Sequence, residues 1–403
     1  MILFDLTHTS HTRARTGIQR VARTLLHEVA KLGPVEPVTW DPHGTEWRLL
    51  EPWERANLEA REPGAKRGAR WPARAKWRGR WRAWRRGEGL SVTGALCDAA
   101  AAERGGATGL LVPEFFGAST ARAYPALFRA VPGPKVAVFH DAIALQLPEI
   151  SPPGTVARTP AYLVELARFD GVAAVSEDSR QTLLDYWAWA GIGGTPPVVA
   201  VPNGIRPPGE AAGAPRPQGP PRILCVGTLE GRKNHLALLE ACESLWSRGA
   251  RFSLRLVGAV QAETGAAARD RALALAAAGR PLRLDVSLSD EEVDQAYQDC
   301  DFTVYPSIAE GFGLPVLESV AHGRPCICSA RGALGEAARG GGCLALAETD
   351  PASLAGAIAR LVDSPAEVAR LSAEAAARPV RTFADQARDL TAFLASLRGL
   401  RQA

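Results

Sequence analysis

Two carboxylates and two cations in this 403-residue chain stand where α/β proteins handle phosphorylated ligands. Glu310 and Glu318 lie in the stretch Pro306-Ser307-Ile308-Ala309-Glu310-Gly311-Phe312-Gly313-Leu314-Pro315-Val316-Leu317-Glu318. It follows the apolar run Phe302–Tyr305 and enters a short helix closed by Gly323 and Pro325. Pro315 suits a first helical turn, where its missing N–H is not needed. Such a helix opens just past the strand's carboxyl end and aims free N–H groups and partial positive charge outward, toward an anionic ligand. A carboxylate beside phosphate repels it unless it faces hydroxyls, so this mixture of acids and glycines reads as a site for a nucleotide sugar. Arg232 and Lys233 follow a second strand and a glycine turn, in Val226-Gly227-Thr228-Leu229-Glu230-Gly231-Arg232-Lys233-Asn234, and precede a helix that Asn234 would help to cap. Fixed cations there suit a diphosphate whose charge grows as it departs; the plainer alternative is a solvated pair at a helix start.

The motifs together resemble the retaining glycosyltransferases of the GT-B fold, glycosyltransferase family 4, with seven residues between its paired glutamates. Further matches are the histidine motif Phe139-His140-Asp141, the glycine loop Arg15-Thr16-Gly17-Ile18-Gln19-Arg20 after the first strand, and Val201-Pro202-Asn203-Gly204-Ile205 before the interdomain linker. They fall in family order and span most of the chain. The resemblance implies catalytic roles for Glu310, beside the donor sugar's anomeric carbon, and for His140, facing the same sugar. It implies donor binding by Gly17, Arg232, Lys233, Gly311, Phe312, Gly313 and Leu314, and by Glu318, which would take the ribose hydroxyls. Thr228 departs from members that carry an arginine there, which shifts phosphate binding onto Arg232 and Lys233. The segment from Gly227 to Asn234 looks most like bacterial mannosyltransferases of cell-surface polysaccharide assembly, so GDP-mannose is the expected donor and a glycan or lipid-linked molecule the acceptor. Glucose, rhamnose or fucose transfer, a non-hydrolysing nucleotide-sugar epimerase, and a non-catalytic membrane or nucleic-acid binder are the alternatives. His8 and His11 are candidates for the acceptor side.

No cofactor and no metal are expected. Asp299-Cys300-Asp301 has the form of the metal motif of the GT-A architecture, but it ends a helix instead of following a strand. Seven cysteines show no C-x-x-C pairing, and Cys225, Cys326 and Cys328 sit in apolar runs as small hydrophobes. An acid-interrupted strand at residues 2–6 in place of a basic, apolar leader, together with the lack of a long apolar run, suggests a cytoplasmic protein, peripheral on the inner face of the membrane.

The net charge of +4 conceals an asymmetry: residues 61–86 hold eleven Lys or Arg and one acid, +10 in all, which leaves −6 for the rest. Trp77, Trp81 and Trp84 fall at i, i+4 and i+7 among these cations, with Trp71 upstream. On a helix they form an aromatic stripe suited to an anionic membrane surface; a solvated, disordered insertion is the competing reading, and no nucleic-acid partner is expected.

The elements that would hold these residues are an N-terminal Rossmann-like, acceptor-side unit at 1–206 with the insert at about 46–88, and a Pro/Gly/Ala linker at 207–221. A C-terminal nucleotide-sugar unit follows at 222–381, then a helix at 382–403 crossing back to the first unit. The regular strand–helix alternation of the second half implies a parallel, doubly wound sheet. The fold class is α/β, two such sheets facing a cleft.

Overall fold

The structure, a computed structural model, describes residues 1–14, 17–60, 69–87, 89–101, 109–209 and 219–400, the last two without their side chains. Arg15 and Thr16, residues 61–68 of the basic run, 210–218 of the expected linker and the terminal 401–403 lie outside the described residues.

Two sheets organise the chain. Strands β1 (Ile2–Asp5), β2 (Val35–Asp41), β3 (Glu46–Leu49), β4 (Ser91–Val92), β5 (Gly109–Val112), β6 (Lys135–Phe139), β7 (Gly171–Ala174) and β8 (Val198–Ala200) form the first. Its order is β4-β3-β2-β1-β5-β6-β7-β8, parallel except where β2 meets β3. The second holds β9 (Arg222–Val226), β10 (Ser253–Val257), β11 (Leu282–Asp285), β12 (Phe302–Tyr305), β13 (Cys326–Ser329) and β14 (Cys343–Leu346). Its order, β11-β10-β9-β12-β13-β14, is wholly parallel. The chain winds outward in both directions from the β9/β12 pair, where Phe302 and Thr303 lie opposite Ile223 and Leu224. The carboxyl ends of these two strands therefore mark the switch point of the winding, beside which open α/β sheets bind ligands. The same reversal occurs between β1 and β5 in the first sheet.

Strands buried on both faces need apolar residues at successive positions; Val136–Phe139 and Phe302–Tyr305 meet that need and are fully covered. Phe4, Leu111, Val136 and Val138 on one face of the first sheet pack with Val21, Leu25 and Val29 of the Gly17–Leu32 helix. The same cluster receives Leu390, Leu394 and Leu397 from the Phe383–Leu400 helix, so the chain's last helix lies on the first sheet although it follows the second. Burial of each such leucine contributes roughly 1.5–3 kcal/mol.

The segment at 46–88 is not wholly an insertion. Glu46–Leu49 is β3, an integral strand whose Trp47 lies opposite Trp40. Its charged residues disguised it in the sequence: Glu46 and Arg48 are buried because they are paired, Arg48 Nη1 with Glu54 at 2.7 Å and Glu46 Oε2 with Arg86 Nη1 at 3.1 Å. Residues 73–86 of the basic stretch form the Ala73–Arg86 helix, bounded by Pro72 and Gly87. Arg82 Nη2 reaches Asp41 at 3.0 Å and Arg78 reaches Glu51 at 2.7 Å, so several of its cations tie the helix down while Trp77, Trp81 and Trp84 remain 65%, 43% and 79% exposed. Trp71 does not join them: it precedes Pro72, outside the helix, and packs against His11, His43 and Trp53.

Candidate functional site

The loops after β9 and β12 meet at one buried cluster. A single 3₁₀ turn, Gly231–Lys233, brings the two cations back over the strand ends, and Ile308 N–H donates to the Arg232 carbonyl at 2.8 Å, lacing one loop to the other. Glu310 receives both cations: Oε2 lies 2.6 Å from Arg232 Nη1 and Oε1 2.6 Å from Lys233 Nζ. Tyr305, the last residue of β12, donates its hydroxyl to Oε1 at 2.8 Å and accepts from Lys233. Arg232 also pairs with Glu230 at 2.8 Å. Burial by itself would raise the Glu310 pKa, but Arg232 and Lys233 outweigh it and hold the carboxyl down at about 2. Burial lowers the Lys233 pKa against the opposing pull of Glu310, whereas the two glutamates prevail over burial at Arg232 and raise it. The cations are thus not a solvated pair. The Glu310 carboxylate bridges both, and Glu230 supplies a second negative charge at Arg232. Asn234 does not cap the following helix with its side chain; its backbone is left-handed, which asparagine tolerates, and its amide donates to the Thr349 carbonyl at 2.8 Å.

Glu318 sits in the second turn of the Leu314–Ala321 helix. Its Oε1 accepts from Arg20 Nη2 at 2.8 Å and its Oε2 from the Tyr297 hydroxyl at 3.1 Å. Gly313 begins that helix at φ 102°, a left-handed geometry open to glycine, and its carbonyl accepts from the Val316 and Leu317 amides at 3.1 and 3.4 Å. Gly311 also meets a backbone limit: a Cβ there would stand 2.2 Å from the His140 carbonyl oxygen. The hydroxyls of Ser176 and Ser179 donate to the Gly311 carbonyl at 2.7 and 3.0 Å, which fastens the glutamate loop to the first unit. Phe312 and Leu314 turn their side chains onto that unit's core. Phe312 also lines a cavity of about 300 Å³ with Pro202, Ile205, Val320 and Val380, which none of Arg232, Lys233 and Glu310 lines.

His140 follows β6 and is almost buried. Its Nε2–H donates to the Pro113 carbonyl at 2.8 Å, and burial lowers its pKa, so the ring is neutral with Nδ1 as an acceptor. Gly17 opens its helix at an exposed position beyond β1. His8 stays at the surface of that loop, 3.2 Å from the Gln19 amide. His11 does not face an acceptor: its ring is buried against Trp53 and Trp71, with Nε2 2.9 Å from Glu54, because the charged β3–Glu54 network beneath it needs a partner. Among the described residues, no group of three or more His, Cys, Asp or Glu side chains is placed to hold a metal ion, and no helix is long and apolar enough to cross a membrane.

Arg20, Tyr305, Tyr297 and Ser179 belong to this site although sequence reasoning gave them no role there. Arg20 stood inside the glycine-loop motif, one turn past Gly17. Tyr305 closes an apolar strand, where a lone polar hydroxyl at the ligand end was the available signal.

Residues 210–378 match the family model described as glycosyl transferases group 1. The serotype-specific mannosyltransferase WbdA of Escherichia coli is 26% identical over 356 residues; the match takes in 81% of this chain but spans only 38% of that longer protein. Among solved structures, sucrose-phosphate synthase from Thermosynechococcus elongatus superimposes with a TM-score of 0.65 at 18% identity, over 98% of both chains. HepE of Anabaena, solved in complex with UDP, gives 0.64 at 13% identity over 98% of this chain and 99% of its own.

Proposed function

We propose, for a chain that has the GT-B fold and whose residues 210–378 match the group 1 glycosyl transferases, that it is a retaining hexosyltransferase acting on a nucleotide sugar. The observation that carries this reading is the buried junction of Arg232, Lys233 and Glu310 at the β9/β12 switch point. It pairs a diphosphate-sized concentration of positive charge with a carboxylate that stays ionised.

In this reading the donor lies between the acceptor-side unit, 1–206, and the nucleotide-sugar unit, 222–381, which 207–221 link and the Phe383–Leu400 helix spans. Arg232 and Lys233 take the diphosphate, with the amides around Gly311, Phe312, Gly313 and Leu314 and the Gly17 backbone beside it. The anomeric carbon–oxygen bond breaks toward the diphosphate, and the acceptor hydroxyl attacks the same face. The departing phosphate oxygen takes the hydroxyl's proton, so no enzymatic nucleophile and no metal are needed. Glu310, with its pKa at about 2, does not donate a proton at neutral pH; as a carboxylate it stabilises the positive charge growing at the anomeric carbon. His140 Nδ1 accepts from a sugar hydroxyl.

Mannose from GDP-mannose is the favoured donor, supported by the resemblance of the phosphate segment and by the mannosyltransferase name of a relative. The acceptor is a growing glycan or a lipid-linked molecule of surface polysaccharide, met at the cytoplasmic face of the membrane, where the exposed Trp77, Trp81 and Trp84 would rest on anionic lipid. The test is thermal stabilisation across a panel of nucleotide sugars, followed by product analysis with the stabilising donor. Release of the nucleoside diphosphate with an α-linked hexose product is expected; stabilisation by none of them would sink the proposal.

A further inference from the structure

Arg20 extends from the first helical turn of the first unit to Glu318 of the second, and Nη2 lies 2.8 Å from Oε1. The pair is half-buried, with side-chain exposures of 35% and 17%. The other carboxylate oxygen is taken by Tyr297, whose ring stacks on His322 at 4.8 Å; His322 in turn bonds the Glu318 carbonyl and Asp294, each at 2.7 Å. A carboxylate offers about four lone-pair sites. With one held by Arg20 and one by Tyr297, each oxygen keeps a single direction for a further donor. Two hydroxyls on adjacent carbons fit that requirement.

We propose that Arg20 is a positioning residue: it orients Glu318 for the cis-diol of a ribose and thereby makes nucleotide recognition depend on contact between the two units. This rests on the reading above, in which Glu318 takes the ribose. The guanidinium is a planar, pre-organised donor and stays charged at every working pH. Because it comes from across the cleft, separation of the units by an ångström or two breaks the bond and frees the carboxylate to rotate. The same seam is closed by Ser176 and Ser179 on the Gly311 carbonyl, and by Glu336 Oε1, which accepts from the Asp178 amide at 2.6 Å. A closed cleft therefore holds both the glutamate loop and the ribose-binding carboxylate in place, while an open one holds neither. Placement of a group within a fraction of an ångström is what gives such hydrogen bonds their value.

The experiment is a cycle between Arg20 and the ribose hydroxyls, read by calorimetry on the full chain. The probes are GDP, UDP and ADP, and the 2′,3′-dideoxy analogue of whichever binds best. Wild type should lose roughly tenfold or more in affinity for the dideoxy analogue, the scale of hydrogen bonds to a charged acceptor. In Arg20→Ala that loss should shrink to about threefold or less, as in Glu318→Gln, and Arg20→Lys should restore part of it. Arg20→Gln, which keeps the aliphatic stem but is neutral and too short to hold Glu318, guards against a folding defect; equal unfolding midpoints for it and wild type with the same diminished loss support the proposal. An undiminished dideoxy penalty in Arg20→Ala and Arg20→Gln overturns it. So does tighter GDP or UDP binding by Arg20→Ala, which would mean that the arginine competes with the ribose. Failure of wild type to bind any of the three diphosphates would overturn the nucleotide-sugar reading itself, and this proposal with it.

Discussion

Glu310→Gln removes one negative charge and little volume from a site where two cations converge on it. The size of the effect follows from the carboxyl's depressed pKa. Held at about 2 against an ordinary 4.5, the carboxylate is favoured in the folded protein by about 3 kcal/mol. Removing one partner of a buried ion pair costs about 3–5 kcal/mol, which agrees at its lower end. The lower end is the expected one, since Arg232 keeps Glu230 and Lys233, whose pKa burial already lowers, can shed its proton. Glu310 is a group of depressed pKa, so its contribution is present above pH about 4.5 and is lost as pH falls toward 2. At pH 7 the empty variant should therefore unfold about 6–12 °C lower, taking 2–4 °C per kcal/mol for a unit of this size. The sign reverses for ligand: without its internal anion, the variant should gain a larger thermal shift from GDP or UDP than wild type gains, while turnover collapses. Differential scanning fluorimetry with and without diphosphate, beside a transfer assay, reads all three. An unchanged midpoint together with an equal ligand shift would refute the view that Glu310 neutralises the phosphate-binding cations, and near-normal turnover would remove it from the chemistry.

Arg232→Ala should weaken nucleoside diphosphate binding by roughly 1.5–3 kcal/mol, the scale of a charge-assisted hydrogen bond, and unchanged affinity in calorimetry would contradict its assignment. Gly311→Ala forces a methyl group to within 2.2 Å of the His140 carbonyl; about 1–3 kcal/mol of stability and most of the transfer activity should be lost, and wild-type turnover would show that the seam is not needed closed. Replacing Trp77, Trp81 and Trp84 together by alanine should abolish a salt-sensitive binding to anionic vesicles while leaving transfer to a short soluble acceptor nearly intact. Sedimentation of the wild-type protein equally poorly with anionic and neutral vesicles would leave the helix without a membrane role.

The sequence by itself determined the alternation of elements in the second half and the motifs at its strand ends. Those signals are local: an apolar run such as Phe302–Tyr305, a capping box at Ser289 and Glu292, and glycine and proline at fixed turns each act within a few residues. At the second and third strands local signals failed. Val35–Asp41 carries a proline and Glu46–Leu49 alternates charges with apolar residues, so neither resembles a buried strand until Asp41, Glu54, Arg82 and Arg86 arrive to pair the charges. The tertiary structure alone decided what the chemically capable residues face. Glu310 and Arg232 are 78 residues apart and Glu318 and Arg20 are 298 apart, and their pairing depends on how two sheets close on one another. His11, an acceptor-side candidate by its loop, became a packing residue under Trp71, and Gly311, a ligand-side glycine by its motif, became the point where two backbones touch. Residue type and spacing specify which chemistry a loop can perform, but partner, burial and pKa are properties of the neighbours that folding supplies.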